Sequence, residues 1–307
     1  MTSQKTNAAR LSILSNISLI VMKLVVGIIM QSVSVISEAV HSGIDLVAAI
    51  IAYFSVKEAG KPADHDHRFG HGKIENVSGT IEAVLIFGAG IYIIVEALKK
   101  LNTGHFEIES LGIGAAVMAI SAIVNWIVSE RLLKVAKDTD SVALEADALH
   151  LRTDVYTSAG VFGGLVAIHF TGLNILDPVI AIGVACLILK AAYDLTRNAF
   201  MHILDIRLPD DEEKAIHEVL AGFNKDYVEY HKLRTRKAGA ERHIDLHLVV
   251  PKSQTVKQSH DLSDAITALI KERLASSHVL VHIEPCDGSC GDCSVSACPD
   301  VVRSIQS

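Results

Sequence analysis

The sequence has few aromatic residues, 5% of the chain, and no basic excess, since its formal net charge is −7 at pH 7. Without a positive excess it lacks the electrostatic footprint of a nucleic-acid-binding protein. Hydrophobic residues make up 50% of its 307 residues, and the mean hydropathy of +0.36 excludes a disordered chain. The length suggests about two domains of ~150 residues each, and the hydropathy is unusual for a soluble enzyme.

Two further absences narrow the class of protein. The start of the chain shows no short apolar core followed by a small-residue cleavage site, so we expect its first apolar run to be a membrane span rather than a cleaved signal peptide. The zinc-protease motif H-E-x-x-H is also missing. The nearest string begins at His217 and lacks the second histidine, which argues against an intramembrane metalloprotease.

The first two thirds of the chain contain six apolar runs, each long enough to cross a bilayer core of ~30 Å. They are approximately Leu11–Val33, Ser37–Glu58, Val77–Leu98, Leu111–Leu133, Val142–Phe170 and Ile175–Ala199. Most flanking Lys and Arg residues precede the first run or lie in the loops between runs two and three and between runs four and five. The positive-inside rule therefore predicts that both termini are cytoplasmic.

Two of these spans carry the same pair of ionisable residues at i, i+4 spacing, which places each pair on one helix face. The pairs are His41 with Asp45 and His150 with Asp154. If the two faces meet, two imidazoles and two carboxylates form a ligand set suited to tetrahedral Zn²⁺. Protons and metal compete for the imidazoles, so one site exposed alternately to each side is sufficient for metal–proton exchange. The alternative is separate buried polar residues that hydrogen-bond one another.

The loop after the second span contains a dense set of ligand types. Asp64, His67 and His71 are candidates for a second, more exposed metal site, and the alternative is a solvated polar loop. Five other acidic residues lie near span ends or polar cavities. We interpret them as cavity or interface residues, with metal entry as a second option: Glu38, Glu82, Glu96, Glu145 and Asp147.

After Asp205 the hydrophobic runs stop, and the pattern predicts a small α+β domain of αββαβ order with its helices on one face of the sheet. The predicted elements are helix Asp210–Phe223, strands Tyr227–Lys237 and Arg242–Val250, helix Thr255–Leu274 and strand His278–Glu284. Histidines and one glutamate on these elements predict metal binding, with ordinary surface histidines as the alternative. The candidate ligands are His231, His247, His260, His282 and Glu284.

The end of the chain is rich in cysteine, in a C-x3-C-x2-C-x4-C pattern. Its members are Cys286, Cys290, Cys293 and Cys298. A reducing cytosol argues against disulfides, so a zinc site or an iron–sulfur cluster is the hypothesis for these thiols. Cys186, alone in the sixth span, is expected to pack as a small hydrophobic residue.

Three segments together resemble the cation diffusion facilitator family, and specifically its bacterial zinc/iron efflux branch. They are S-E-A-V-H-S-G-I-D at 37–45, F-G-H-G-K at 69–73 and H-L-R-T-D at 150–154. The resemblance covers about residues 10 to 285. It implies a homodimer with six transmembrane helices per protomer and a metallochaperone-like cytoplasmic domain at the dimer interface. It also implies export of a divalent transition metal in exchange for protons.

The resemblance assigns roles residue by residue. The transport site is His41, Asp45, His150 and Asp154; the loop site is Asp64, His67 and His71; and a cytoplasmic two-metal site is His231, His247, His260, His282 and Glu284. A charge pair, Lys73 with Asp205, is implied to act as a hinge between the bundle and the cytoplasmic domain. Many bacterial relatives have Asp in place of His41, which favours zinc here, and relatives typically have Asp in place of Glu284.

The sequence thus predicts an α-helical membrane protein with six transmembrane helices plus an αββαβ cytoplasmic domain. The expected domains are 1–204 in the membrane, 205–285 for metal binding and dimerisation, and 286–307 as a Cys-rich tail. The expected function is Zn²⁺/H⁺ antiport in a bacterial cytoplasmic membrane. Fe²⁺, Co²⁺, Cd²⁺ and Mn²⁺ remain alternative substrates, and a membrane-anchored metal sensor remains an alternative function.

Overall fold

The computed structural model describes residues 2–30, 33–103, 113–171, 173 and 175–287. The chain divides into two compact units, Met1–Ile203 and Leu204–Ser307. The first unit contains α1 (Thr2–Met30), α2 (Val33–Ala59), α3 (Lys73–Thr103), α4 (Ile113–Thr139), α5 (Val142–Thr171) and α6 (Leu176–Ile203). The second contains α7 (Asp210–Ala221), β1 (Glu229–Ala238), β2 (Glu241–Val250), α8 (Val256–Arg273) and β3 (Ser277–Pro285).

The helices of the first unit are long and apolar. Within the described residues, five are long and hydrophobic enough to cross a membrane: Ser3–Ile29, Ala39–Ala59, Lys73–Asn102, Ala116–Thr139 and Pro178–Ile203. Large apolar side chains point away from the protein interior, as Ile29 and Leu187 do at 76% and 67% exposure. Such outward apolar surface is what a lipid environment stabilises and water does not.

Helix α5 is the exception to this composition. It has 30 residues, a length of about 45 Å, but its first half carries Glu145, Asp147, Arg152 and Asp154. The helix packs against α3, α4 and α6 within the bundle. Charged residues in a membrane bundle face the interior or a cavity, so α5, like α2, brings ionisable groups into this unit.

The helices extend beyond the apolar runs that predicted them. Helix α1 begins at Thr2 rather than Leu11, and α3 begins at Lys73 rather than Val77. Hydropathy marks only the part of a helix in hydrocarbon, and polar turns continue it at both ends. These polar turns are well packed: Lys5 on α1 donates to Glu75 on α3 at 2.7 Å, and Ser141 donates to the other oxygen of Glu75 at 2.5 Å.

The buried contact of Lys5 with Glu75 should contribute to the free energy of unfolding. The side chains of Lys5 and Glu75 are 10% and 3% exposed, so Lys5→Met leaves an uncompensated buried carboxylate. We expect it to destabilise the protein by about 3–5 kcal/mol, whereas the double variant Lys5→Met/Glu75→Gln recovers most of the loss. Thermal unfolding in detergent, followed by the fluorescence of the single tryptophan, measures both. Equal stability of Lys5→Met and the wild type would contradict the assignment.

The second unit confirms the predicted αββαβ order. Its strands form one sheet in the order β1-β2-β3, with β1 and β2 antiparallel and β2 and β3 parallel. Alternation along β2 buries Ile244, Leu246 and Leu248 against α7 and α8. The intervening residues of β2, among them His247, therefore lie on the opposite, polar face of the sheet. A capping box between Thr255 and Gln258 begins α8.

Candidate metal centres

Helices α2 and α5 bring the intramembrane histidines and aspartates together. Nε2 of His150 lies 3.1 Å from Oδ1 of Asp45, and Nε2 of His41 lies 4.0 Å from Oδ1 of Asp154. Ligand atoms of His41, Asp45 and Asp154 all lie within 4.8 Å of one another. His150 joins them through Asp45, and we call these four residues the transmembrane cluster.

The transmembrane cluster has the chemistry of a transition-metal site. Four ligand atoms at 2.0–2.2 Å from a tetrahedral Zn²⁺ are separated by about 3.4 Å. The two measured cross-helix distances, 3.1 and 4.0 Å, bracket that separation, so side-chain rotation is sufficient to adjust them. The side chains of Asp45 and His150 are 4% and 13% exposed, whereas that of His41 is 54% exposed. The cluster is therefore buried on one side and accessible on the other.

Sequence reasoning missed two polar neighbours of this cluster. Lys23, buried in α1, donates to Ser42 at 2.9 Å, and its charge acts on Asp154. Asn125 on α4 donates to Oδ2 of Asp154 at 3.4 Å. A single lysine in the apolar run Leu11–Val33 was the available signal, because a buried ammonium in a span requires a partner.

The loop between α2 and α3 gathers a second set of ligands. Nδ1 of His67 and Nε2 of His71 lie 3.4 and 3.3 Å from the two carboxylate oxygens of Asp64. Backbone N–H groups of His67 and Asp66 donate to Oδ1 of Asp64 and lower the pKa of that carboxyl. These three residues, which we call the loop cluster, lie within 4.8 Å of one another by their ligand atoms. His71 is 9% exposed and its buried Nδ1 has no hydrogen-bond partner among the described residues.

A row of three histidines crosses the polar face of the sheet. His231 on β1 pairs in register with His247 on β2, which pairs in register with His282 on β3. Glu284 lies two residues beyond His282 and so shares its face. Its Oε1 is 2.6 Å from Nδ1 of His247 and its Oε2 is 3.1 Å from Nε2 of His231. We call His231, His247 and Glu284 the sheet cluster, since their ligand atoms lie within 4.8 Å of one another.

Glu284 is well placed to bridge in the sheet cluster. Each carboxylate oxygen faces a different histidine, so the extra methylene relative to aspartate lets one carboxylate span two strands. The hydrogen bond from His247 lowers the pKa of Glu284 below its ordinary value. The group is thus ionised at neutral pH, the form that binds metal.

The other predicted ligands of this unit are less closely placed. Nε2 of His282 lies 3.7 Å from Oε1 of Glu284, and its side chain is 61% exposed. Nε2 of His260 lies 3.3 Å from Oδ2 of Asp264 on α8, and the ligand group that the structure gathers does not include it. Helix α8 packs on the apolar face of the sheet, so within one protomer His260 is separated from the sheet cluster.

The remaining predictions concern the tail and the charge pair. Cys286 donates its backbone N–H to Val250 at 2.9 Å, whereas Cys290, Cys293 and Cys298 lie outside the described residues. Cys186 is exposed rather than packed inside the unit, which is compatible with an apolar surface in lipid.

The predicted charge pair of Lys73 and Asp205 has other partners in the structure. Lys73 donates to the carbonyl of Ile203 at 3.2 Å, and Asp205 accepts from Arg236 at 3.2 Å. Their mutual pairing stays a prediction.

The fold gives the class of protein, and its similarity to known proteins gives the family. A bundle of long apolar helices with ionisable residues inside it, followed by a small α+β unit, defines a multi-pass membrane protein with an appended domain. The cation efflux transmembrane domain matches residues 9–204, and the cytoplasmic domain of cation efflux proteins matches residues 208–286. The chain belongs to the cation efflux family, also called the cation diffusion facilitators, whose members are transporters of metal cations.

Several relatives align over most of the chain. The uncharacterized transporter sll1263 of Synechocystis sp. is 37% identical over 257 residues, 83% of this chain and 82% of that protein. The cation-efflux pump FieF of Yersinia pestis is 30% identical over 256 residues, 83% of this chain and 84% of that protein. A structure of CzrB in its Zn form is 29% identical, with a TM-score of 0.26, and covers 28% of this chain and 96% of its own.

A structure of the metal-bound C-terminal domain of the CzcD transporter from Thermotoga maritima is also similar. It is 28% identical, with a TM-score of 0.23, and covers 24% of this chain and 87% of its own. Like CzrB, it matches only a part of this chain.

Proposed function

We propose that the protein exports Zn²⁺ from the cytoplasm in exchange for protons, through the transmembrane cluster. The observation that carries the proposal is the contact of His150 with Asp45 at 3.1 Å, which joins two separate helices within a membrane bundle. Ionisable groups at such depth are costly and mark ion pathways. Cation efflux is the activity of the family, and zinc and protons as the exchanged ions are the finer part of the proposal.

The mechanism follows from competition for the same atoms. Zn²⁺ entering from the cytoplasm displaces protons from the imidazoles of His41 and His150 and binds the carboxylates of Asp45 and Asp154. The bundle then opens to the other side, where protons displace the metal. Alternate exposure of one site is sufficient for exchange, because an imidazole must be neutral to bind metal and titrates in the physiological range.

Zinc is the favoured substrate because of the donor set. Two imidazoles and two carboxylates suit Zn²⁺, whereas an all-oxygen set suits Mn²⁺ or Mg²⁺. His41 is the residue that decides this, since a carboxylate there would leave one nitrogen against three oxygens. Fe²⁺, Co²⁺, Cd²⁺ and Mn²⁺ are the alternative substrates within the same transporter class.

The second unit is proposed to sense cytoplasmic metal as a homodimer. Metal in the sheet cluster joins β1, β2 and β3, and His282 and the His260 of a second copy are proposed to complete its coordination. Zinc there tightens the dimer and favours the transporting state.

The proposed domains are 1–204, 205–285 and 286–307, with both termini in the cytoplasm of a bacterial cell. The loop cluster is a proposed relay or regulatory site, the tail cysteines a proposed metal site, and Lys73 with Asp205 a proposed hinge.

A metal sensor without transport is the second candidate function, and the sheet cluster is the observation that favours it. The two functions separate in everted membrane vesicles that contain a zinc-sensitive dye. A transporter accumulates Zn²⁺ in wild-type vesicles and fails to do so with Asp154→Ala. A sensor accumulates none in either, while it keeps zinc binding to the second unit. The family of transporters and the missing protease motif both argue against an enzyme.

Zinc binding to the sheet cluster is expected to weaken as the pH falls. Protons compete with Zn²⁺ for the imidazole nitrogens of this cluster, so we expect weaker binding at about pH 5.5 than at about pH 7.5. Glu284 does not contribute to this weakening, because its lowered pKa keeps it ionised over that range. Calorimetric titration of the Asp154→Ala protein with Zn²⁺ measures the effect, and His247→Ala identifies the heat that belongs to the sheet cluster. A pH-independent affinity would contradict imidazole ligation.

A further inference from the structure

Two carboxyl side chains are buried on the packed helices α3 and α5, outside the three clusters described above. Glu82 on α3 is 1% exposed and Asp147 on α5 is 0% exposed. The negative field of Asp147 acts on Glu82. Within the described part of the chain, no hydrogen bond of normal length reaches any of their four carboxylate oxygens.

Close packing of the two helices brings these carboxyl groups together. A Cβ atom on Gly79 would lie 2.8 Å from Cγ1 of Val142 and 3.3 Å from its carbonyl oxygen, so the helices approach where only glycine fits. One turn further along, Ala83 and Ala146 share one buried apolar cluster. Glu82 follows Gly79 by three residues and so shares its helix face, and the burial of Asp147 and its charge interaction with Glu82 place it at the same interface.

The surroundings supply little that would stabilise two negative charges. Helix α6 contributes apolar residues, such as Ile188 and Ala192, to the same cluster as Ala83. Ser12 on α1 lies close to Asp147, but its buried hydroxyl forms no hydrogen bond of normal length with any described residue. Burial of an unpaired carboxylate costs several kcal/mol, and a second carboxylate beside it adds repulsion. One proton held between the two groups removes a charge and supplies a hydrogen bond.

The transmembrane cluster is close enough to influence that proton. The charged groups that act on Asp147 from other positions are Asp45 on α2 and His150 on its own helix. Without metal, the carboxylate of Asp45 opposes ionisation of Asp147. Metal binding displaces the imidazolium proton of His150 and places a divalent cation against Asp45, so the positive charge near Asp147 increases, which favours ionisation. Coulomb interactions of this kind are strong over several ångströms inside a protein.

We propose that Glu82 and Asp147 form a proton-binding site that holds one proton when the transmembrane cluster is metal-free and releases it when a divalent cation binds there. The step breaks one O–H bond heterolytically: the electron pair stays on the carboxylate and the proton passes to water. No oxidation or reduction occurs. This inference rests on the proposed metal–proton exchange and adds a carrier of the exchanged proton that is not itself a metal ligand.

The test combines spectroscopy with proton counting on the purified full-length protein. Infrared difference spectra, recorded on addition of Zn²⁺, report loss of a protonated carboxyl C=O band, and a pH-indicator dye counts the protons released. The variants are Glu82→Gln, Asp147→Asn and the double variant, which preserve side-chain shape. Glu96→Gln is the matched control on α3, because Glu96 pairs with Lys99 near the end of the helix, with its side chain 45% exposed.

We expect the wild type and Glu96→Gln to lose the carboxyl band on Zn²⁺ binding. Both single variants and the double variant should lack the change, release about one proton fewer per metal and still bind Zn²⁺. The proposal is overturned if the double variant still shows the change in the carboxyl band. It is also overturned if the double variant lacks that change but releases as many protons per metal as the wild type. If wild-type protein in vesicles shows no proton-dependent Zn²⁺ flux, the proposed function itself fails. If the wild type shows such flux and the Glu82 and Asp147 variants behave like it in both measurements, only the role of this pair is overturned.

Discussion

Replacement of Asp45 by Ala is expected to reduce zinc flux by at least about 100-fold. Asp45 is 3% exposed, its Oδ1 lies 3.1 Å from His150, and it is one of the four proposed ligands. Its loss removes a ligand and releases the imidazole of His150 from its orientation. The loss of an outer partner of a metal ligand already costs 10–100-fold in affinity or activity, so the loss of the ligand itself should cost more.

The measurement is the initial rate of Zn²⁺ uptake into vesicles at several zinc concentrations. Asp194→Ala is the matched control, since Asp194 is an exposed aspartate on α6, and it should transport as the wild type does. Asp45→Asn keeps the size of the side chain and removes its charge, and we expect a loss nearly as large. A rate for Asp45→Ala within twofold of the wild type would mean that metal crosses the bundle elsewhere.

The substitution His41→Asp is expected to change which metal the protein prefers. It exchanges the imidazole for a carboxylate, which suits harder cations such as Mn²⁺ and Fe²⁺. The side chain of His41 is 54% exposed, so the new carboxylate is not forced into an apolar interior. We expect the ratio of zinc to manganese flux to fall by about tenfold, equivalent to about 1.4 kcal/mol of differential transition-state stabilisation.

Total flux should also decrease for every metal in His41→Asp, because the shorter side chain withdraws from Asp154, which is 4.0 Å away in the wild type. The ratio, not the rate, is therefore the informative quantity. Competition between isotopically labelled Zn²⁺ and Mn²⁺ in one vesicle preparation measures it directly. His202→Asp, at an exposed position on α6, controls for added negative charge. An unchanged ratio would show that His41 does not select the metal.

The sequence was sufficient for the architecture of both units. Long apolar runs predict membrane helices because hydropathy and length are set by the bilayer. Alternation around His243, Asp245 and His247 predicts a strand with one polar face, and the structure buries the intervening Ile244 and Leu246. Helix ends were less predictable. Helix α1 starts at Thr2 because polar residues continue a helix outside hydrocarbon, where hydropathy gives no signal.

The candidate sites were predictable where spacing within one element decides the outcome. Spacing of i, i+4 placed His150 and Asp154 on one face of α5, and alternation placed His282 and Glu284 on one face of β3. Contacts between elements depend on how each helix is rotated, which periodicity does not determine. The proximity of Lys23 to the transmembrane cluster and the burial of Glu82 beside Asp147 are of this kind. Metal binding at all three clusters stays a prediction.

The separation of His260 from the sheet cluster has the same origin. Sequence placed it at the start of α8, but not on a particular side of the sheet. The helix packs through Leu262, Ile266 and Ile270 onto the apolar face, whereas the other candidate ligands line the polar face. One protomer therefore does not gather all five predicted ligands, and a second copy is the proposed source of the missing histidine.

Metal–proton exchange through the transmembrane cluster can be followed in a reconstituted membrane. Zn²⁺ uptake is recorded in proteoliposomes with and without an imposed proton gradient, for the wild type and for Asp154→Ala. We predict gradient-dependent uptake in the wild type and none in the variant. Uptake of Fe²⁺ or Mn²⁺ but not Zn²⁺ would retain the transporter and replace the metal. Absence of flux for every metal, with tight binding retained, would rule out metal–proton exchange and favour a sensor.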